Sequence, residues 1–332
     1  VDFVRRKTQK QKPFEGLHVI VDAGNGMGGF FVEKVLSPLG AETSGSQYLE
    51  PDGSFPHHIP NPEDYECMEA LRTAVIKSKA DLGICFDTDM DRAGAVDRTG
   101  DELNRNRLIA LISAILLEER PGAVIVTDSV TSTGLADFIA SRSGRQHRFK
   151  RGYRNVINEA IRLNNEGVDC PLAIETSGHA AFRENRFLDD GSYLMIRILI
   201  KYAQLKNAGK TLESLIAGLL EPAESEEFRL KVLAEDYKSY GNRLIAELGE
   251  YAGKHGWAID KNNFEGIRVN FPPDNAVGWF LLRLSLHDPI IVINIESDKA
   301  GGVKTIIGQL LPFLNRYEAL DKNPVTGYTI EA

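Results

Sequence analysis

The chain has 332 residues, 42% hydrophobic and 26% charged, too long for one typical core and suited to two or three domains. No apolar run approaches the length that crosses a bilayer, and a formal charge of −8 argues against nucleic acid or an anionic membrane as the main partner. Three cysteines, Cys67, Cys85 and Cys170, lack metal spacing and argue against a disulfide framework, which points to the cytoplasm or another reducing compartment.

Residues 1–13 are basic, lack the apolar stretch of a secretory signal and read as an exposed linker. The run LHVIV at residues 17–21 reads as a buried strand, followed by a glycine-rich turn from Asp22 to Gly29 and a helical pattern through Phe31, Val35 and Leu36. Gly24, Gly26 and Gly29 satisfy GxGxxG, and Glu42 stands near the distance of a ribose-binding acid, as in a dehydrogenase. Against that reading, the segment after Gly40 is polar where a dinucleotide fold needs an apolar second strand, so a tight strand-to-helix turn is favoured. Residues 50–62 form a loop rich in turn formers, in which His57 and His58 read as solvated histidines. A helix carrying Met68, Leu71 and Ile76 follows.

An apolar strand then delivers Asp87, Asp89, Asp91 and Arg92 into one short loop. If that loop is extended, its period of two throws all three carboxylates to one side, where their repulsion is costly unless a cation lies among them. Oxygen donors without Cys or His suit a hard ion such as Mg²⁺, and Arg92 is placed to hold a phosphate against it. An EF-hand needs glycine at position 92 and glutamate at position 98, and both are arginine. A haloacid-dehalogenase-type phosphatase has Thr or Val where Asp91 stands, so that reading is set aside too. A helix from about Asn106 shows Leu108, Leu111, Ile112 and Ile115 on one face, and the first domain closes near Pro121.

A second strand-helix series opens at Ala123, with a helix through Leu135, Phe138 and Ile139. Arg145, Arg148, Lys150, Arg151 and Arg154 then crowd around Gly152, either as a solvated face or as an anion site with free backbone amides. A short strand ends in Glu175-Thr-Ser-Gly-His179, groups suited to sugar hydroxyls. Ser177 and His179 lack the nucleophile-elbow pattern of a hydrolase. Asp189-Asp-Gly191 precedes a long amphipathic helix with Tyr193, Ile196, Leu199 and Ile200 inward. Residues 221–227, acidic and broken by proline, are the best linker candidate. Beyond them come a helix with Leu244, Ile245 and Leu248, strands near Ile267, Phe280 and Ile291, and a final helix through Ile306, Leu310 and Leu314. Turns at residues 272–275 and 286–289 suggest an antiparallel sheet, with Arg268, Arg283 and Ser285 at or near strand ends where a phosphate could be received. The expected architecture is α/β: a linker over 1–13, two consecutive mixed sheet-and-helix domains over 14–120 and 121–220, and a smaller α+β domain with an antiparallel sheet over 221–332.

The motifs VDAGNGMGG, EPDGSFPHHIPNPE, FDTDMDR, ETSGH with FRENRFLDDG, and EGIR with RLSLHDP occur in one order along the chain. Together they resemble the α-D-phosphohexomutases, the phosphoglucomutase and phosphomannomutase superfamily. The resemblance places this chain on the second to fourth of the family's four domains, without the N-terminal domain that carries its phosphoserine. It implies an isomerase, an intramolecular phosphotransferase acting on hexose monophosphates through a bisphosphate, with no activity expected from this chain alone. It also implies that Asp87, Asp89 and Asp91 bind Mg²⁺ with the phosphoserine while Arg92 assists catalytically at the same phosphate. Glu175 and Ser177 correspond to sugar-hydroxyl readers, with His179 close by. Gly152 and Tyr153 stand where several relatives have a Gly-His pair that helps proton transfer. Arg283, Ser285 and His287 fall in the loop that grips the phosphate not being transferred, although Leu286 and His287 replace a small or amide residue and a threonine there. The alternative is a non-catalytic sugar-phosphate-binding homologue, and the dehydrogenase reading ranks behind both.

Overall fold

The computed structural model describes residues 1–272, 277–285 and 288–331 and divides into two compact units. One comprises Val1–His147 and Arg151–Leu219, the other Arg148–Lys150 and Leu220–Ala332.

The first unit contains two mixed sheets. In one, β1 (Val19–Asp22) pairs parallel with β2 (Leu82–Phe86), which pairs antiparallel with β3 (Ala93–Asp97). The other runs β5 (Arg145–Arg148), β4 (Val124–Thr127), β6 (Leu172–Ile174), β7 (Ala180–Phe182), with β4–β6 parallel and β6–β7 antiparallel. Apart from the polar edge strand β5, these strands are short and mostly apolar because helices cover them, as in sheets buried on both faces. Helix α2 (Tyr65–Ser78) starts where the Asp64 side chain accepts from the amides of Glu66 at 2.9 Å and Cys67 at 3.4 Å, and it ends at Lys79 in the left-handed region. Met68, Leu71 and Val75 face the sheet, while Ile76 is exposed, one position off the expected stripe. Helix α3 (Asn106–Glu119) is buried continuously from Leu108 to Leu117, so its apolar surface exceeds the single face that was expected. One core joins it to α4 (Thr133–Ser141), to α6 (Gly191–Asn207) and to both sheets. Helix α5 (Tyr153–Asn165) flanks β4 and β6, and Asp190 caps α6 through the Tyr193 amide at 2.9 Å.

Three local expectations change. Residues 2–8 form helix α1 (Asp2–Thr8), with Val4 buried and Phe3 against Tyr193, so an apolar anchor holds this segment rather than leaving it as an exposed linker. After the glycine turn the chain forms short irregular helical turns, Met27–Gly29, Val32–Leu36 and Ser37–Leu39, instead of a regular helix. His58 is buried, because its Nε2 meets the fully buried Asp22 carboxylate at 3.1 Å.

The second unit is a five-stranded sheet in the order β8 (Glu224–Lys231), β12 (Ile290–Ser297), β11 (Gly278–Leu284), β10 (Ile267–Phe271), β9 (Ala258–Ile259), antiparallel throughout. Helices α7 (Tyr237–Lys254), α8 (Gly302–Leu314) and α9 (Asn323–Glu331) complete it, so Gly302–Leu314 is not the final helix. Strand β8 occupies most of the acidic stretch expected to be a linker. Phe228 and Leu230 enter the core, Glu226 and Glu227 are exposed on this edge strand, and the Glu224 carboxylate accepts from the Gly301 and Val303 amides where α8 begins. Arg268 is not at a solvent-facing strand end: it is 2% exposed, with its guanidinium 3.6 Å from the Trp279 ring centroid.

Candidate active site

In the first unit, β2 ends one residue before Asp87 and β3 begins one residue after Arg92, so the acidic loop is clamped at both ends by one antiparallel pair. The loop is a tight turn rather than an extended segment, with Met90 at φ 67°. Even so, one carboxylate oxygen each from Asp87, Asp89 and Asp91 lie within 4.8 Å of one another. Asp87 is compensated: its carboxylate accepts from the Arg92 amide at 3.1 Å and from Arg92 Nε at 3.0 Å. Asp91 is not. Its Oδ1 is buried without a hydrogen-bond partner, and burial, then the Asp87 carboxyl, push its pKa up to about 7.

Arg92 is fixed from a second side, where Nη1 donates to Asn61 Oδ1 at 3.2 Å and lies 3.8 Å from Glu63 Oε2. Glu63 also faces Arg151 Nη2 at 3.6 Å. The loop after His58 thus supplies two acceptors that orient the guanidinium.

The turn from Glu175 to His179 is brought directly against this loop. The Ala93 amide donates to Gly178 O at 3.3 Å and the Gly191 amide to Met90 O at 3.0 Å. Both glycines are required by close approach: a Cβ on Gly178, whose φ is +99°, would meet Ala93 O at 2.6 Å, and one on Gly191 would meet the Arg92 carbonyl carbon at 2.7 Å. His179 Nδ1 contacts Asp189 Oδ2 at 2.8 Å and lies 3.7 Å from Asp91 Oδ2. Burial opposes the imidazolium, but the hydrogen bond and charge of Asp189, with Asp91 and Glu175, hold its pKa above the ordinary value. The Tyr153 ring stacks on His179 with centroids 5.1 Å apart.

Glu175 is buried and accepts from the Gly152 amide at the start of α5 at 2.5 Å. Burial first, then the Asp128 charge, push its carboxyl up to about 7. Ser177 Oγ is buried with no hydrogen-bond partner. A cavity of about 180 Å³ opens beside it, lined in part by Pro62, Tyr65, Asn104, Arg105 and Thr176. Three converging carboxylates that keep one buried oxygen unsatisfied although Arg92 lies beside them, a buried carboxyl, an unsatisfied hydroxyl and a histidine-aspartate pair suit a cation and a polyhydroxylated anion.

Residues 1–100 match the profile of the phosphoglucomutase/phosphomannomutase α/β/α domain II, and residues 104–223 match that of domain III. The chain belongs to the phosphoglucomutase/phosphomannomutase family. It is 32% identical over 310 residues to a phosphoglucomutase of Neisseria gonorrhoeae, covering 93% of this chain and 62% of that protein. Identity is also 32% over 295 residues to a phosphomannomutase/phosphoglucomutase of Pseudomonas syringae, covering 88% and 59%. The chain therefore spans about three fifths of the length of these curated relatives. A phosphoglucomutase/phosphomannomutase family protein from Burkholderia thailandensis superposes with a TM-score of 0.76 at 27% identity, over 95% of this chain and 63% of that one.

Of the phosphohexomutase positions singled out from sequence, Asp87, Asp89, Asp91, Arg92, Gly152, Tyr153, Glu175, Ser177 and His179 all lie in the first unit. Arg283 and Ser285 lie in the second, where Arg283 is a buried residue of β11. The Ser285 amide donates to Ile290 O at 2.9 Å, and its Oγ accepts from the Asp288 amide at 3.3 Å. His287 is outside the described residues. Asn61, Glu63, Asp128 and Asp189 were missed as site residues. Asn61, Glu63 and Asp189 sit inside the quoted motifs, but spacing alone gives no sign that they reach Arg92 or His179.

Proposed function

We propose that this chain forms the metal loop, the sugar-reading turn and a phosphate loop of a phosphohexomutase, which moves a phosphoryl group between two oxygens of a hexose through a bisphosphate. Glucose and mannose phosphates are the proposed substrates, as the names of the curated relatives suggest. The observation that carries this reading is the backbone docking of the Glu175–His179 turn against the Asp87–Arg92 loop.

The donor set fits a hard divalent cation such as Mg²⁺: three carboxylates converge, none softer, and Asp91 Oδ1 is buried and unsatisfied. Asp87, Asp89 and Asp91 are the residues proposed to hold it. When bound, such a cation supplies positive charge beside a transferring phosphoryl group. Arg92, held by Asp87 and Asn61, presents a pre-oriented guanidinium to the same charge. Glu175 and Ser177 bind and orient sugar hydroxyls. Asp189 fixes His179 at Nδ1, which leaves Nε2 to give a proton to, or take one from, the reacting hydroxyl. In the second unit, Arg283 and Ser285 are proposed to grip the phosphate that is not transferred.

Calorimetric titration with Mn²⁺, a surrogate of similar ligand preference, tests the metal loop. One site is expected, weakened at least tenfold in Asp91→Asn; equal affinity in that variant would overturn the assignment. No serine of this sequence matches the family's phosphoserine motif, so these 332 residues alone are proposed not to convert glucose 1-phosphate to glucose 6-phosphate. A coupled assay showing steady turnover by this chain would contradict that.

A further inference from the structure

Under the strand that feeds the acidic loop, two cysteines meet. Cys67 lies in the first turn of α2 and Cys85 is the penultimate residue of β2. Both are fully buried, and their Sγ atoms are 2.6 Å apart, about half an ångström beyond a covalent S–S bond of about 2.05 Å. Around them lies a small apolar cluster that includes Ile20, Met68, Leu71, Val75 and Val96. Cys170, the remaining cysteine, is buried elsewhere and donates to Leu172 O at 3.5 Å. Neither Cys67 nor Cys85 has a part in the proposed reaction.

The setting of Cys67 favours a thiolate. It sits at the N-terminal end of a 14-residue helix, and the imidazolium of His58, which the buried Asp22 holds charged, favours its thiolate. The hydrogen bond from Cys85, opposed by burial and aided by His58, draws the Cys67 thiol down to about 6. Cys85 is the adjacent sulfur that can resolve an oxidised partner.

We propose that Cys67 and Cys85 are an oxidative modification site, closing an intramolecular disulfide on exposure to a small uncharged peroxide. The Cys67 thiolate attacks one peroxide oxygen; the O–O bond breaks, Cys67 becomes a sulfenic acid, and the released hydroxide takes a proton to leave as water. The Cys85 sulfur then attacks the Cys67 sulfur; the S–O bond breaks, and the departing hydroxide leaves as water with the Cys85 proton. Two thiols lose two electrons in total and the peroxide is reduced to two waters. Full burial excludes bulky disulfide oxidants, which makes a small peroxide the fitting class. The new bond ties α2, which begins just after Asn61 and Glu63, to the strand that ends just before Asp87, so it braces both supports of Arg92.

The folded chain is treated with hydrogen peroxide, quenched, unfolded, alkylated and digested for peptide mapping. Expected are the loss of two of its three alkylatable thiols, a peptide pair joined through Cys67 and Cys85, and recovery of all three thiols with dithiothreitol. In Cys67→Ser no joined pair forms. The proposal is overturned if all three thiols stay alkylatable, if Cys67 accumulates as sulfinic acid without a joined pair, or if the joined pair includes Cys170. The mapping is made on the unsubstituted chain, so a folding defect in the variant leaves the test intact.

Discussion

Asp22 and His58 form an ion pair under the glycine turn, with side chains 0% and 3% exposed. The Asp22 carboxylate also accepts from the Gly24 amide and Gln47 Nε2, so removing the imidazolium would leave a buried charge with one partner fewer. The Asp22 hydrogen bond raises the His58 pKa from 6.5 to about 11. A raised cationic pKa contributes stability that is complete below about 6.5, declines as pH rises and is gone once pH passes about 11. His58→Ala should therefore cost about 3–5 kcal/mol near pH 6, with a smaller gap from the unsubstituted chain at pH 9.5, as read by urea unfolding at both values. A gap that widens with pH would contradict the pair. Sequence alone could not show this, because a histidine in a proline-rich loop looks solvated until the fold closes that loop over Asp22. Asp87, Asp89 and Asp91 were legible, since crowding of like charges is itself a sequence property.

Backbone contact, more than side-chain contact, joins the acidic loop to the Glu175–His179 turn, and Gly178 and Gly191 make the approach possible. Gly178→Ala should destabilise the first unit by roughly 1–3 kcal/mol, from an unfavourable φ and a Cβ crowded against Ala93 O. It should also weaken Mn²⁺ binding while far-ultraviolet dichroism stays unchanged; wild-type stability and affinity would show that the two segments need not touch. Elements with strong periodicity or caps were legible: α6, with its Asp190 cap, and the apolar strands β1 and β2 lie close to where the pattern put them. Strand β8 was not, because an edge strand needs few inward apolar residues, and Phe228 and Leu230 lie beyond the glutamates that suggested a linker. Helix α1 was missed for a similar reason: seven residues rich in charge hide one buried valine.

Across the whole molecule, two mixed sheets within one unit and an antiparallel sheet in another agree with the α/β and α+β layers expected from sequence. Motif order along the chain pointed to the family, which the matches over residues 1–100 and 104–223 show. Among the described residues no helix is long and apolar enough to cross a membrane. Side-chain pairings such as His179 with Asp189 are a property of the closed fold, since ten positions separate them and it is the reversal of the chain after β7, bridging Asp189 to Ala181, that brings them together. The central claim is that the carboxylate loop and the Glu175–His179 turn form one sugar-phosphate site. Calorimetric titration of the chain with glucose 1,6-bisphosphate tests it most directly. The account predicts binding that is strengthened by Mg²⁺ and reduced at least tenfold by either Glu175→Gln or Asp91→Asn. Binding indifferent to Mg²⁺ and to both substitutions, or no binding at all, would contradict it.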